Sequence, residues 1–498
     1  MRLSRRAVLA TGAAGALALS RRSAMAQDSR KLSLALPADP RSLDPTFRDG
    51  GIEATIQRHI FDTLLHRAPD MSVKPWLAQS VEQVDAVTWR VRLRGGVVFS
   101  NGEKVDSEAV RFSVERITNP ENRSVIRTQI APLGKVEAES ATAMLFRLPQ
   151  PDALFEARLT WLMIVPPKHT AEVGAQLTNQ PIGSGPYLLR HWRRNAESAF
   201  TVNPNFWGET PKFQEVVFRT VPEELARLSA LRTNEVQFAQ NLSPTQAASL
   251  AGQSSIKVVK QPTGRVAVLN FNPRIKPADD PKFRRAVGQA VNRDEIMRGL
   301  IKELGIAVPT IFAPNVQGLP DGVSMEIAYR PDEARATIEQ LGLKGAEIEV
   351  GGPAARFPLD RELASVIAAQ LRRVGLNARA RVTEFGTYAS DIKAGRIPPV
   401  FVQVHGNSWF DAVPQLDAFY HSNGLASPWA DAETDRLLAA AYAAPIASRP
   451  AAIGDVMTHL RDQAMAVPLF NYLFLHGAAA SLQWEPRADD FVFAFEMA

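Results

Sequence analysis

The sequence predicts an α/β protein made of two or more lobes. Three observations carry this. The chain has 498 residues, more than one compact core usually organises. Its 45% hydrophobic and 22% charged residues are an ordinary globular balance. Strand patterns and helix patterns then alternate along the chain, which implies open sheets with helices on their faces.

The first 26 residues stand apart. Ser4-Arg5-Arg6 precedes an apolar, Ala-rich stretch that runs to about Leu19, and Ala24-Met25-Ala26 offers small residues for cleavage. A charged start, a short apolar run and a small-residue exit form a signal peptide, and the paired arginines resemble a twin-arginine address. The run is shorter than the ~20 apolar residues a bilayer span needs. The expectation is a soluble, periplasmic protein beginning near Gln27. The five arginines of this segment account for the whole net charge of +5, leaving 52 basic against 52 acidic residues. A nucleic-acid footprint therefore has no support in composition. The absence of cysteine excludes disulfides, thiolate metal sites, cysteine nucleophiles and a lipid anchor on cysteine.

Elements follow in order. Residues 31 to 37 alternate as a strand, and a helix carries Ile52, Ile56 and Ile60. Val87, Trp89, Val91 and Leu93 share one face of a strand by period two; Gly95-Gly96 predicts a hairpin turn, with Val97-Val98-Phe99 returning. Asp106 is placed as N-cap of a helix with Val110, Val114 and Ile117 inward. Gly183-Ser184-Gly185 is a turn opening another β region. A strand over residues 216 to 220 leads to a helix near Pro222 with Leu225, Leu228 and Leu231 inward. Residues 266 to 271 read as a strand. Asp280-Pro281 caps a helix in which Phe283, Ala286, Val287, Ala290 and Val291 form one stripe. Leu363, Val366, Ile367, Leu371 and Val374 mark a further helix, which ends at Gly375 before a strand over residues 377 to 382.

Catalytic patterns are not found. Ser254-Ser255-Ile256-Lys257 spells S-x-x-K, but Ile256-Lys257-Val258-Val259-Lys260 reads as strand and points the two side chains wrongly. Gly183-Ser184-Gly185 lacks nucleophile-elbow spacing, and none of the eight histidines forms an i, i+4 pair. No catalytic residue, metal ligand or cofactor is assigned.

The order of segments resembles the extracellular solute-binding proteins of family 5, the peptide/nickel class that serves ABC importers. The resemblance is carried by Trp89 through Glu103 with Asp106 through Ser113, by Ser42-Leu43-Asp44-Pro45, Gly183 through Tyr187 and Asn203 through Gly208, and by Phe283 through Asp294 and Val467-Pro468-Leu469-Phe470. It implies a periplasmic-binding-protein-like fold: two lobes with the ligand enclosed between them, and an extra subdomain on the first lobe. The implied division gives residues 27–55, 182–267 and 475–498 to the first lobe, 56–181 to its subdomain and 268–474 to the second lobe. It also implies a monomer that hands a peptide or similar polar solute to permease subunits, without catalysis and without membrane insertion.

In peptide-binding relatives a second-lobe segment carries Trp and then an Asp that pairs with the ligand's α-amino group. The local match runs from His405 through Asn407, Trp409 and Asp411 to Pro414. Here Ala412 follows Asp411 where the family usually has proline, so Asp411 is read either as ligand partner or as a helix cap, and Trp409 either as pocket wall or as packing. Phe47, Asp49 and Gly50 follow the first strand at its carboxyl end, where open sheets bind ligands. Trp161 is placed in the cleft wall or the core. Asn270 and Asn272 are placed where the chain crosses between lobes, as ligand contacts or hinge fasteners. Trp89 and Trp207 are assigned to packing. A hydrolase or metal enzyme on the same fold, and a sensory or chaperone-like binder, are the competing functions.

Overall fold

The computed structural model describes residues 30–48, 50–354, 356–445 and 447–498. The export segment and Asp49 lie outside the described residues. An 11-stranded mixed sheet runs through both lobes. In the first lobe, strand Lys31–Leu36 lies parallel to Glu215–Thr220 on one side and to Phe238–Leu242 on the other. In the second, Glu347–Ala354 lies parallel to Asn377–Glu384 and to Val400–Gly406. Two long antiparallel strands, Ile256–Phe271 and Ala466–Ala479, join the halves.

Their ladder breaks between Pro262 and Val266. At this break Asn471 donates its side-chain amide to Thr263 O at 2.6 Å and Arg265 O at 2.9 Å, while the Thr263 hydroxyl donates to Tyr472 O at 2.9 Å. Side chains thus satisfy the backbone groups that the bulge releases. Beyond this break strand Ile256–Phe271 also pairs with Val400–Gly406. Asn270 lies in that paired part, and Asn272 follows it.

The subdomain is a four-stranded sheet in the order Ala78–Asp85, Thr88–Leu93, Ala143–Arg147, Lys135–Ser140, covered by helix Ser107–Thr118. Trp89, Val91 and Leu93 are buried, as period two requires, and Asp106 caps its helix by accepting from Ala109 N at 3.1 Å. One reading fails here. Val97 to Phe99 do not pair with Thr88–Leu93, whose partners are Ala78–Asp85 and Ala143–Arg147; Val98 makes only a bridge to Lys104. A glycine pair signals a turn but not which strand answers it.

Two helices also depart from expectation. The first spans only Gly51–Gln57, so Ile60 lies past its end. Helix Glu224–Arg232 buries Leu228 and Leu231 but leaves Leu225 72% exposed, because steps of three drift around a 3.6-residue helix. Helix Pro281–Ala290 buries its expected stripe, helix Asp360–Arg373 buries Leu363, Ile367 and Leu371 with Val366 only partly covered, and Gly375 takes φ +99°. Lys257 lies on strand Ile256–Phe271, as read, and donates to Leu482 O. Gly183 and Gly185 press against residues 59–61; a Cβ on Gly183 would stand 2.0 Å from Ile60 O, so only glycine permits the approach. Trp89 stacks on Phe155 at 4.5 Å between ring centres, and Trp207 donates to Asp62 at 3.0 Å. Among the described residues no helix is long and apolar enough to cross a membrane.

Candidate binding cleft

A cavity of about 440 Å³ opens between the lobes. The first lobe supplies Arg48, Gly50 and Gly51 after the first strand, then Arg58, His66 and Arg67; its subdomain adds Thr160 and Trp161. The second lobe supplies Gly264 and Arg265 at the crossing and Gly406, Asn407, Ser408 and Phe410 beyond it. The C-terminal return closes the site with Arg487, Asp489 and Asp490. Gly264 has to be small, since a Cβ there would meet Asn407 O at 2.8 Å.

Five of these residues are arginines, and their partners differ. Arg487 is almost wholly buried and holds Asp489 at 2.6 Å and Glu496 at 2.8 Å. Burial alone would weaken its proton, but the two carboxylates overcome this and hold its pKa above the ordinary value. Arg265 pairs with Asp490. Arg58 donates to Phe61 O at 3.0 Å and to His66 Nδ1 at 3.0 Å. A guanidinium can only donate, so Nδ1 is the acceptor and His66 donates its Nε2–H to Glu496 at 2.9 Å. Burial keeps this histidine neutral, pushing its pKa down. Arg67 donates to Met71 O and to the backbone carbonyl of Trp409, tying first lobe to second. Among the described residues Arg48 has no ion pair, and its Nη2 has no hydrogen-bond partner.

The structure brings the two predicted tryptophans together. Trp161 and Trp409 pack with ring centres 4.9 Å apart and planes 30° from parallel. The Arg48 guanidinium lies 3.9 Å from the Trp161 ring centre, and Arg158, held by Asp152 at 2.6 Å, lies 5.1 Å from that of Trp409. The resulting stack, Arg48–Trp161–Trp409–Arg158, joins the first lobe and its subdomain to the second lobe.

Asn407 shapes the loop behind it. Its amide donates to Asp411 O and Gln415 Oε1, and its carbonyl accepts from Trp409 N at 3.1 Å. Asp411 caps helix Ala412–Tyr420, accepting from Val413 N at 3.0 Å. Its carboxyl lines a neighbouring hollow with Arg67, Tyr442 and Arg449 rather than the cleft, and burial pushes its pKa up. Of its two readings, the cap is the contact that the structure displays.

Four other candidates do not line the cleft. His405 is fully buried, stacked on Phe419 at 3.9 Å and accepting from Asn270. Asn270 also donates to Gln403, while Asn272 holds Gly395 O and Ile397 O. Phe47 is half-exposed in a separate surface hollow beside Arg116. Gly50 does line the cleft. The cleft arginines and Asp489 and Asp490 were missed; the nearest signal was Arg48, which sits inside the Phe47–Gly50 loop already singled out. Among the described residues no three His, Asp or Glu side chains gather to hold a metal ion.

Comparison with known proteins fits this geometry. The model of the bacterial extracellular solute-binding proteins, family 5, matches residues 72–427. A dipeptide-binding protein of Escherichia coli K12 is 25% identical over 366 residues, 68% of either chain. A nickel-binding periplasmic protein of the same organism is 26% identical over 447 residues, 83% of this chain and 84% of that one. Among solved structures, HbpA2 from Haemophilus parasuis superposes with a TM-score of 0.86 at 17% identity, covering 94% of this chain and 99% of the other.

Proposed function

The chain belongs to the bacterial extracellular solute-binding proteins of family 5, and on that premise we propose that it is the substrate-binding component of an ABC importer. It takes a small polar solute, a di- or oligopeptide or a molecule of similar kind, between its lobes and presents it to permease subunits. The observation that carries this is the cavity walled by both lobes and bridged by Trp161 and Trp409. A ligand touching both walls binds the closed arrangement best, so binding drives closure by population shift. The bulge at residues 263–265 in the crossing strands is the natural place for that motion. The site offers binding groups on both walls, and the relatives that the chain resembles are named as binding proteins, which supports a carrier.

A solute bound only by the folded protein stabilises it by mass action, by about 2.7 kcal/mol at a concentration one hundred times Kd. Thermal melts with pooled dipeptides and other small polar solutes should therefore rise. Melts that no solute moves would contradict the reading.

The same reading places the protein in the periplasm, exported on its twin-arginine segment. Changing Arg5 and Arg6 to lysine should hold the precursor in the cytoplasm, as fractionation would show. Normal export of the variant would rule out the twin-arginine route.

A further inference from the structure

The cleft wall carries positive charge that the protein leaves unanswered. Arg48 is 5% exposed, and among the described residues its Nη2 meets no hydrogen-bond acceptor. Its guanidinium lies 3.9 Å from the centre of the Trp161 ring. The nearby carboxylate, Asp489, is already held by both Nε and Nη2 of Arg487, at 3.0 and 2.6 Å. Arg67 is 6% exposed and its Nε also lacks a partner. Arg58 is spent on a carbonyl and on neutral His66. Among the described residues these three buried cations face one cavity without an ion pair, with Asp489 and, for Arg58, Asp62 acting on them only at longer range, and burying unpaired charge is costly. Burial, with the charge of Arg58 adding to it, pulls the Arg48 pKa down to about 9, which is how an unneutralised cation behaves.

A second hollow continues from the cleft. It measures about 730 Å³, lies in the second lobe and shares Arg265 and Gly406 with the cleft wall. Phe357, Phe385, Phe419 and Leu425 line it. Phe385 is 40% exposed and Leu425 75% exposed, so this apolar surface faces open space. An apolar recess opening from a cationic cleft selects one kind of solute.

We propose that the solute is an acid with an apolar arm: its anionic group sits against Arg48 with Arg58 and Arg67 behind, and its arm reaches past Arg265 into the hollow of Phe385 and Leu425. The assignment rests on the solute-capture reading above. A carboxylate against Arg48 supplies the missing acceptor, and charge-assisted contacts of this kind are the strong ones.

Calorimetric titration tests this with four probes: leucyl-phenylalanine, its C-terminal amide, glycylglycine and 3-phenylpropanoate. Leucyl-phenylalanine should bind about tenfold or more tighter than its amide, and about tenfold or more tighter than glycylglycine. Arg48→Met should erase the acid–amide difference without lowering the melting temperature, and Arg48→Lys should restore part of it. Phe385→Asp, at a position 40% exposed, should weaken leucyl-phenylalanine and 3-phenylpropanoate but not glycylglycine. Equal binding of acid and amide, or unchanged acid affinity in Arg48→Met, would overturn the proposal. So would binding of the amide with no binding of the acids; solute capture would then stand. A panel in which nothing of any charge binds would overturn both.

Discussion

Moving the protein from pH 7 to pH 5 should remove about 5 kcal/mol of folding stability, chiefly through three buried histidines that do not line the cleft. His59, His405 and His476 are fully buried, and burial pushes each pKa down to about 3. Their hydrogen bonds require the neutral ring. His59 lies 2.7 Å from Thr55 O and accepts from Ala494 N at 3.0 Å; His476 accepts from Asn241 N at 3.0 Å. The unfolded chain takes up protons below its ordinary histidine pKa of about 6.5 while the folded chain does not. Stability present above 6.5 is thus lost as pH falls toward 3, by about 1.4 kcal/mol per group per pH unit. Three groups give roughly 6 kcal/mol by pH 5. Asp360 opposes them: burial raises its pKa to about 6, so it favours the folded state as pH falls through that value and returns roughly 1 kcal/mol. Urea unfolding at the two pH values measures the net loss. Stability independent of pH across this interval would contradict the assignment of neutral, buried histidines, and His59→Gln should flatten the slope.

Trp161→Ala and Trp409→Ala should each weaken solute binding by about 2 kcal/mol, roughly thirtyfold in Kd. Trp161→Ala removes part of the cleft wall, Trp409→Ala removes the ring packed against it, and both uncouple the stack between lobes. The double variant should lose less than the sum, by about 1 kcal/mol, because the rings contact one another. Asp411→Ala should behave differently. It removes a cap, so it should cost about 1 kcal/mol of stability with affinity nearly unchanged. A large affinity loss in that variant would put the ligand on Asp411. Unchanged affinity in both tryptophan variants would remove the stack from the binding site.

Local patterns in the sequence carried much of the fold. Asp106 and Asp280 announce helix starts because a cap and its stripe lie within a few residues of each other. Trp89, Val91 and Leu93 alternate because one strand face is buried. Pairing is often not local: one partner of Thr88–Leu93 lies more than fifty residues later, and the other, Ala78–Asp85, lies just before it where the glycine pair pointed the other way. The cleft shows the same limit more strongly. Arg48, Arg58, Arg67, Arg265 and Arg487 are spread over the chain, and each alone reads as a surface charge; only the folded chain sets them around one cavity. Trp161 and Trp409 were named separately, while their contact belongs to the tertiary structure. His405 and Asn270 fall at promising places in the sequence, yet the inward face of the sheet turns them into each other.

Because the chain contains no cysteine, two introduced cysteines label it uniquely. Thr128 in the subdomain, next to Gln129 of the cleft wall, and Asn423 in the second lobe, near Leu425 of its hollow, are both exposed. Thr128→Cys with Asn423→Cys, carrying a donor and an acceptor dye, reports the distance between lobes in single molecules. The account predicts a solute-dependent shift to a shorter distance, half-complete at the concentration that half-saturates binding. A distance that stays fixed while the same solute saturates the protein would contradict capture between moving lobes.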